Sequence, residues 1–387
     1  MGYHPYRYRY GRVTIRYGEP SGRPQILWDN RSLTLLSLGT PLPLDELIPE
    51  ACEALCRLFE NDPTLGHLAI DSFFESFTPA WLSLLRQNRT IDAAKYWHQV
   101  LTPVREWERK SNKSVHKGTP YYFLGATYIY GRNFDLGLRY LYDAIEQDKK
   151  LFSRLGNPES HKSAPAYMLA SLVDNPGNFL YNDIIAPTRG RIERFLAIYR
   201  AKGASMQLKD FDRRFLGETS LEVQKLFFVY VLFEMIKQES AWTPGEDPND
   251  FSKMRNRDIL FDLCLVIDEV LRTRYPPATY ISQGVYNLCK SKGWINSKDV
   301  DPGSLNLNLN PNVSGEKAPP PDVVVPTLLD CTLTYRGAPI RPEMSWLLLT
   351  WHIRNYAAHD LAPQNVLVKR FDEIIQSQMN ALFISVE

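Results

Sequence analysis

From Leu44 to about residue 215 the apolar residues return at steps of three and four, and that period most limits what this chain can fold into. Leu47, Cys52, Leu55, Leu58 and Phe59 open the pattern, and 68 to 87 and 91 to 108 continue it. Residues three and four apart share one face of a helix, whereas a strand would bring together residues two apart. The region is therefore expected to be helical, each segment burying one stripe against its neighbours. Further helical segments are expected near 164 to 174 and 188 to 202, after turn material at Gly156 to Ser160.

Residues 1 to 36 follow a different period. Tyr6-Arg7-Tyr8-Arg9-Tyr10 and Val13-Thr14-Ile15-Arg16-Tyr17 alternate every second residue, which predicts a short β-hairpin lead-in turning at Gly11 or within Gly18 to Pro24. The interleaved Arg and Tyr could stack on nucleic acid, but the reading preferred here is one solvated strand face.

At 387 residues the chain exceeds the size at which one core usually keeps growing, so two domains are expected, 37–215 and 219–387. Hydrophobic residues make up 44% and charged residues 23%, which suits a chain that buries a real core. In the second domain Leu221 to Ile236 is apolar nearly all round, the mark of a buried helix. Residues 258 to 272 carry Leu260, Leu263, Cys264, Ile267, Val270 and Leu271 on one face, and a third, shorter helix is expected over 279 to 290. The stretch from about 295 to 325, with Asn306 to Asn312 and Pro319-Pro320-Pro321, is too poor in apolar residues to pack and is read as a flexible insertion. Regular pattern resumes at Met344 to Tyr356. The chain then ends on an amphipathic helix with Leu367, Phe371, Ile374, Ile375, Gln378 and Leu382 along one side. The expected fold class is mainly α.

Charge excludes one broad function class. Acidic and basic residues nearly cancel, to a formal +1, so there is no whole-molecule field to hold phosphate and any RNA site must be local. The five cysteines, Cys52, Cys56, Cys264, Cys289 and Cys331, contain no CxxC pair, which argues against a disulfide framework or a zinc cluster and favours a reducing cytoplasm. Cys52 and Cys56 share a helix face and are read as core. The N-terminus has no apolar signal region, and no run approaches the roughly 20 apolar residues of a spanning helix, so neither secretion nor a membrane partner is expected. Phosphate-loop, dinucleotide, zinc-protease and nucleophile-elbow motifs are all absent, and no cofactor or metal is expected.

Two segments resemble known families. Tyr121, Leu124-Gly125, Tyr128, Gly137, Leu141 and Ala144 follow the tetratricopeptide helix-turn-helix pattern, in which small residues let two antiparallel helices approach closely. A weaker echo lies at Trp81, Leu84, Asp92-Ala93-Ala94 and Leu101. One good repeat and one poor one do not make a solenoid, so 37–215 is expected to be an irregular TPR-like helical domain.

The second segment is Trp346 to Asp360, an apolar helical stretch that ends in Arg354-Asn355-Tyr356-Ala357-Ala358-His359. It resembles the Arg-x4-6-His motif of the HEPN superfamily, many of whose members are metal-independent ribonucleases. The bare spacing recurs at Arg109 to His116 and Arg154 to His161, so spacing alone decides nothing. Context separates the third match: Asn directly after Arg, small residues before His, an apolar helix upstream, a break at Pro363 and one last helix. The resemblance covers about 219 to 387, as a HEPN-like helical bundle. It implies an endoribonuclease effector in bacterial antiviral defence or a toxin–antitoxin system. RNA would be the substrate, and a homodimer through the C-terminal domain would place two motifs across one cleft. The catalytic residues would be Arg354, His359 and Asn355, with Tyr356, Asp360 and His352 as neighbours. Family members controlled by nucleotidyltransferase antitoxins carry a Tyr just beyond the His, at the place that Leu361 holds here, so control by that route is not expected.

Physical chemistry agrees with those roles. Asn355 lies one turn below His359 and can fix its tautomer. Arg354 and His359, five residues apart, point about 140° away from each other on a continuous helix, so one chain aims them poorly at a single phosphate. An imidazole suits proton transfer near neutral pH, and a guanidinium suits the charge that develops on phosphorus when a 2′-hydroxyl attacks. The TPR-like part would hold a protein partner or a signal. The alternative is a non-catalytic helical adaptor in which the motif caps the end of its helix.

Overall fold

A computed structural model describes residues 6–17, 25–28, 31–32, 44–61, 67–240, 250–295, 320–335, 338–359 and 365–387. The fold is mainly α, in two compact units that divide between Ala170 and Ser171. Gly18 to Pro24 and most of the 295–325 stretch lie outside the described residues.

The N-terminal unit opens on a meander of four antiparallel strands, β1 (Tyr6–Tyr10), β2 (Val13–Tyr17), β3 (Gln25–Trp28) and β4 (Arg31–Ser32). The expected hairpin is the first pair, closing at Tyr10 against Val13 around Gly11, whose φ of +54° a glycine adopts without strain. Val13, Ile15 and Leu27 are buried, and both strands of the first pair pack on helix α1 (Leu44–Asn61). Tyr10 is engaged within the protein: its hydroxyl donates to Glu53 Oε1 at 3.0 Å and Arg57 lies 4.7 Å over its ring.

Five more helices follow: α2 (His67–Glu75), α3 (Thr78–Arg86), α4 (Thr90–Ser111), α5 (Gly118–Tyr130) and α6 (Phe134–Arg154). The helix α7 (Pro165–Ala170) then closes the unit against α6. The small-residue expectation is met between α5 and α6. Gly125 and Gly137 face each other so closely that a Cβ on Gly125 would stand 2.8 Å from the Gly137 carbonyl oxygen. Asn133 caps α6 by accepting from the Leu136 amide. Between the helices lies an aromatic core, in which Trp97 stacks on Phe123 at 5.2 Å and the Trp81 indole donates to Thr127 Oγ1 at 2.7 Å.

The C-terminal unit begins earlier than the boundary between 215 and 219 expected from the sequence. The reason is aromatic packing. Tyr199 on α8 (Ala186–Ala201) touches Trp346 and Phe383, while Phe211 and Phe215 pack on Phe228, so 186 to 216 belong to this core. The main helices are α9 (Glu222–Ser240), α10 (Asp250–Arg274), α11 (Ile281–Ser291), α12 (Pro321–Leu329), α13 (Pro342–His359), the short α14 (Asn365–Lys369) and α15 (Phe371–Val386). Strands β5 (Thr334–Tyr335) and β6 (Ala338–Pro339) form a small hairpin before α13. Helix α10 is the hub, packing against α9, α11, α13 and α15.

One helix departs from its sequence reading. The terminal helix was expected to be one-sided, yet within α15 only Asp372 and Glu373 are exposed, and Leu367 belongs to α14. The polar members of its inner faces are absorbed by hydrogen bonds. Gln378 Nε2 donates to the Leu260 carbonyl at 3.0 Å and to Cys264 Sγ at 2.9 Å, and Cys264 Sγ donates to the Thr350 carbonyl at 3.2 Å. These contacts tie α10, α13 and α15 into one core. Among the described residues no helix is long and apolar enough to cross a membrane.

Candidate functional site

Helix α13 carries the motif residues, and its burial changes along its length. Leu347, Leu349, Thr350 and Ile353 are fully buried, whereas Arg354, Asn355, Tyr356 and Ala357 are half-buried. The helix thus leaves the core over its last turns. Its backbone runs helically through His359, so the angular separation of Arg354 from His359 holds, as does the shared face of Asn355 and His359. The His359 imidazole and Asp360 lie outside the described residues.

Arg354 faces α10. Its Nε is buried, and its guanidinium has no hydrogen-bond partner among the described residues. Asp268, which is 3% exposed, interacts with it electrostatically. Burial raises the pKa of that carboxyl, while Arg272, with Nε at 3.2 Å, and then Arg354 oppose the rise. Arg354 is therefore held in the field of a buried carboxylate without a hydrogen bond to it. A buried guanidinium N–H left unmade is costly unless something else satisfies it.

His352 and Tyr356 lie four residues apart on one face of the helix, and His359, seven residues after His352, falls on that same face. The His352 ring is 2% exposed, lying 5.6 Å from Trp351 and 5.9 Å from Tyr356, and its Nε2 has no hydrogen-bond partner among the described residues. Burial pushes its pKa down to about 4, so at neutral pH it is an uncharged packing residue. Burial likewise raises the Tyr356 phenol, which stays protonated.

The cysteines are free, and four of them are disfavoured as thiolates: burial pushes Cys56 and Cys289 up to about 12, and Cys52 and Cys264 also rise. Among the described residues no three His, Cys, Asp or Glu side chains converge as metal ligands.

Two cavities lie away from the motif. One, of about 570 Å³, is in the C-terminal unit at the opposite end of α13, where Trp346 meets Arg191, Arg194 and Lys202. Arg191 there pairs with Glu239. The other, of about 440 Å³, is in the N-terminal unit and contains His116, the histidine of a discarded spacing match. His116 faces Asp148 and Asp71, an arrangement that sequence reading missed because its three members come from segments far apart. The only local signal was a histidine two residues before a Gly-Thr-Pro helix start. The other discarded match, Arg154 to His161, is structural, with His161 Nδ1 on the Pro158 carbonyl at 2.5 Å and its ring edge-on to Tyr167.

The fold and these sites define a mainly α protein of two units with one candidate site in each. Comparison of the chain with family models, with curated proteins and with solved structures found no match.

Proposed function

We propose that the C-terminal unit is a HEPN-type, metal-independent endoribonuclease. The observation that carries this is Arg354, a half-buried cation with no hydrogen-bond partner among the described residues, placed directly before Asn355 and five residues before His359 where α13 leaves the core. A substrate phosphate would supply the acceptors that the guanidinium lacks. In the reaction the 2′-hydroxyl attacks the adjacent phosphate and the 5′-oxygen leaves. His359 moves the proton, Asn355 fixes its ring, and Arg354 neutralises charge on the pentacovalent phosphorus. The angular separation of Arg354 and His359 calls for a homodimer, with the two motifs across one cleft. The setting that suits such an effector is the cytoplasm of a bacterium, in antiviral defence or as a toxin, with the helical N-terminal unit receiving the trigger.

A second reading is favoured by Asp268. A buried carboxylate beside Arg354 is also what a structural charge pair would use, and the chain would then be a non-catalytic helical adaptor. The two readings separate by cleavage of total RNA in EDTA, alongside growth arrest on expression. Arg354→Ala and His359→Ala should each lower cleavage by at least about 100-fold. A His359→Ala protein as active and as toxic as the wild type would overturn the ribonuclease assignment.

A further inference from the structure

The His116 cavity lies where the start of α5 meets α2 and α6. His116 is 8% exposed and holds Nε2 3.2 Å from Asp148 Oδ1 and 3.6 Å from Asp71 Oδ1. Asp71 also accepts from Thr119 Oγ1 at 2.9 Å. The other ring nitrogen, Nδ1, is buried and has no hydrogen-bond partner among the described residues. Gly118 makes the arrangement feasible: a Cβ there would overlap Asp148 Oδ1 and stand 2.8 Å from His116 Nε2.

The rest of the lining has a consistent chemistry. The exposed Glu75 adds a third carboxylate, and Tyr122, Phe123 and Phe152 supply aromatic walls. No Lys or Arg is among the lining residues. Three carboxylates against one imidazole leave the cavity negative whichever form the histidine takes, which repels anionic ligands. A metal ion is disfavoured too, since these side chains do not converge as ligands. What remains is a ligand that brings positive charge, several N–H donors and a body able to lie on aromatic faces.

We infer that this cavity is a recognition site for a small organic cation, an ammonium or guanidinium head on a short aliphatic chain. The head donates to Asp148, Glu75 strengthens the field, and the rings hold the cation and its chain by cation–π and apolar contact. The site is separate from the α13 motif, and the inference stands whether or not the ribonuclease assignment does.

Isothermal titration of the full chain with agmatine and with spermidine tests this, with glutarate as the anionic control. The expected result is saturable binding of at least one of the two cations, accompanied by a rise in Tm. Asp148→Asn should weaken binding at least about tenfold and Glu75→Gln about fivefold. Glu75 is exposed, so its variant folds and decides the matter even if Asp148→Asn does not fold. The inference is overturned if neither cation binds the wild type saturably, if binding is unchanged in Glu75→Gln, or if glutarate binds as tightly.

Discussion

His352 shows how one residue can set a pH response without taking part in chemistry. Its ring folds uncharged, with a pKa near 4, whereas in the unfolded chain it takes up a proton near 6.5. Below 6.5 the unfolded state binds a proton that the native state refuses, so stability falls as pH drops from 6.5 towards 4. The full effect is about 3 kcal/mol. Asp262 acts with the opposite sign. Burial, then Asp258, hold its carboxyl up to about 6, so as pH falls through 6 the native state gains its proton first and is stabilised until the unfolded carboxyl titrates near 3.8. His352→Phe removes the first term and leaves the second. Urea unfolding should show that between pH 7 and pH 4.5 the variant loses about 2 kcal/mol less stability than the wild type, and an identical pH slope would contradict the assigned cause. Arg354 is the contrasting residue: its charge cannot be titrated away, so a lack of acceptors must be met by a ligand or tolerated as a cost.

At the scale of elements, α5 and α6 are held by what their glycines lack. The backbones of Gly125 and Gly137 approach so closely that a methyl group on either must displace its neighbour, since a Cβ on Gly137 would stand 3.1 Å from the Gly125 carbonyl oxygen. Gly125→Ala should therefore destabilise the N-terminal unit by about 1–3 kcal/mol despite the better helix propensity of alanine. Chemical unfolding measures this, and a neutral or stabilising result would mean that the helices can slide apart freely. Helix α13 follows another logic. Its fully buried middle anchors the element, and its last turns leave the core, which is where a helix in a packed bundle can present polar groups to a ligand.

At the scale of the whole molecule, the proposed dimer makes a sharp demand. If Arg354 of one protomer and His359 of its partner serve one site, mixing Arg354→Ala with His359→Ala protein puts one intact site in each mixed dimer. Half of the dimers are then mixed and each has one of two sites, so activity should return to about a quarter of wild type. Activity that stays at the level of the separate variants would place the whole site in one chain.

The sequence by itself determined most of the helices, because the three- and four-residue period of apolar side chains is a local property that a helix converts directly into a buried face. It also determined the Gly125–Gly137 contact, α10 with its buried Leu260 to Leu271 face, and the place of Arg354, Asn355 and His359 on one helix. Three things were decided only in the tertiary structure. The unit boundary moved to Ala170 because Tyr199, Phe211 and Phe215 found partners such as Phe228 and Phe383, far along the chain. The terminal helix became buried on nearly every side because Leu260 and Thr350 offered carbonyls to the polar groups around it. His116 turned from an accidental spacing match into the centre of a cavity because Asp71 and Asp148, on separate helices, close on it. Contacts between residues distant in sequence leave no period and no motif to read, which is why the candidate cation site had to wait for the fold.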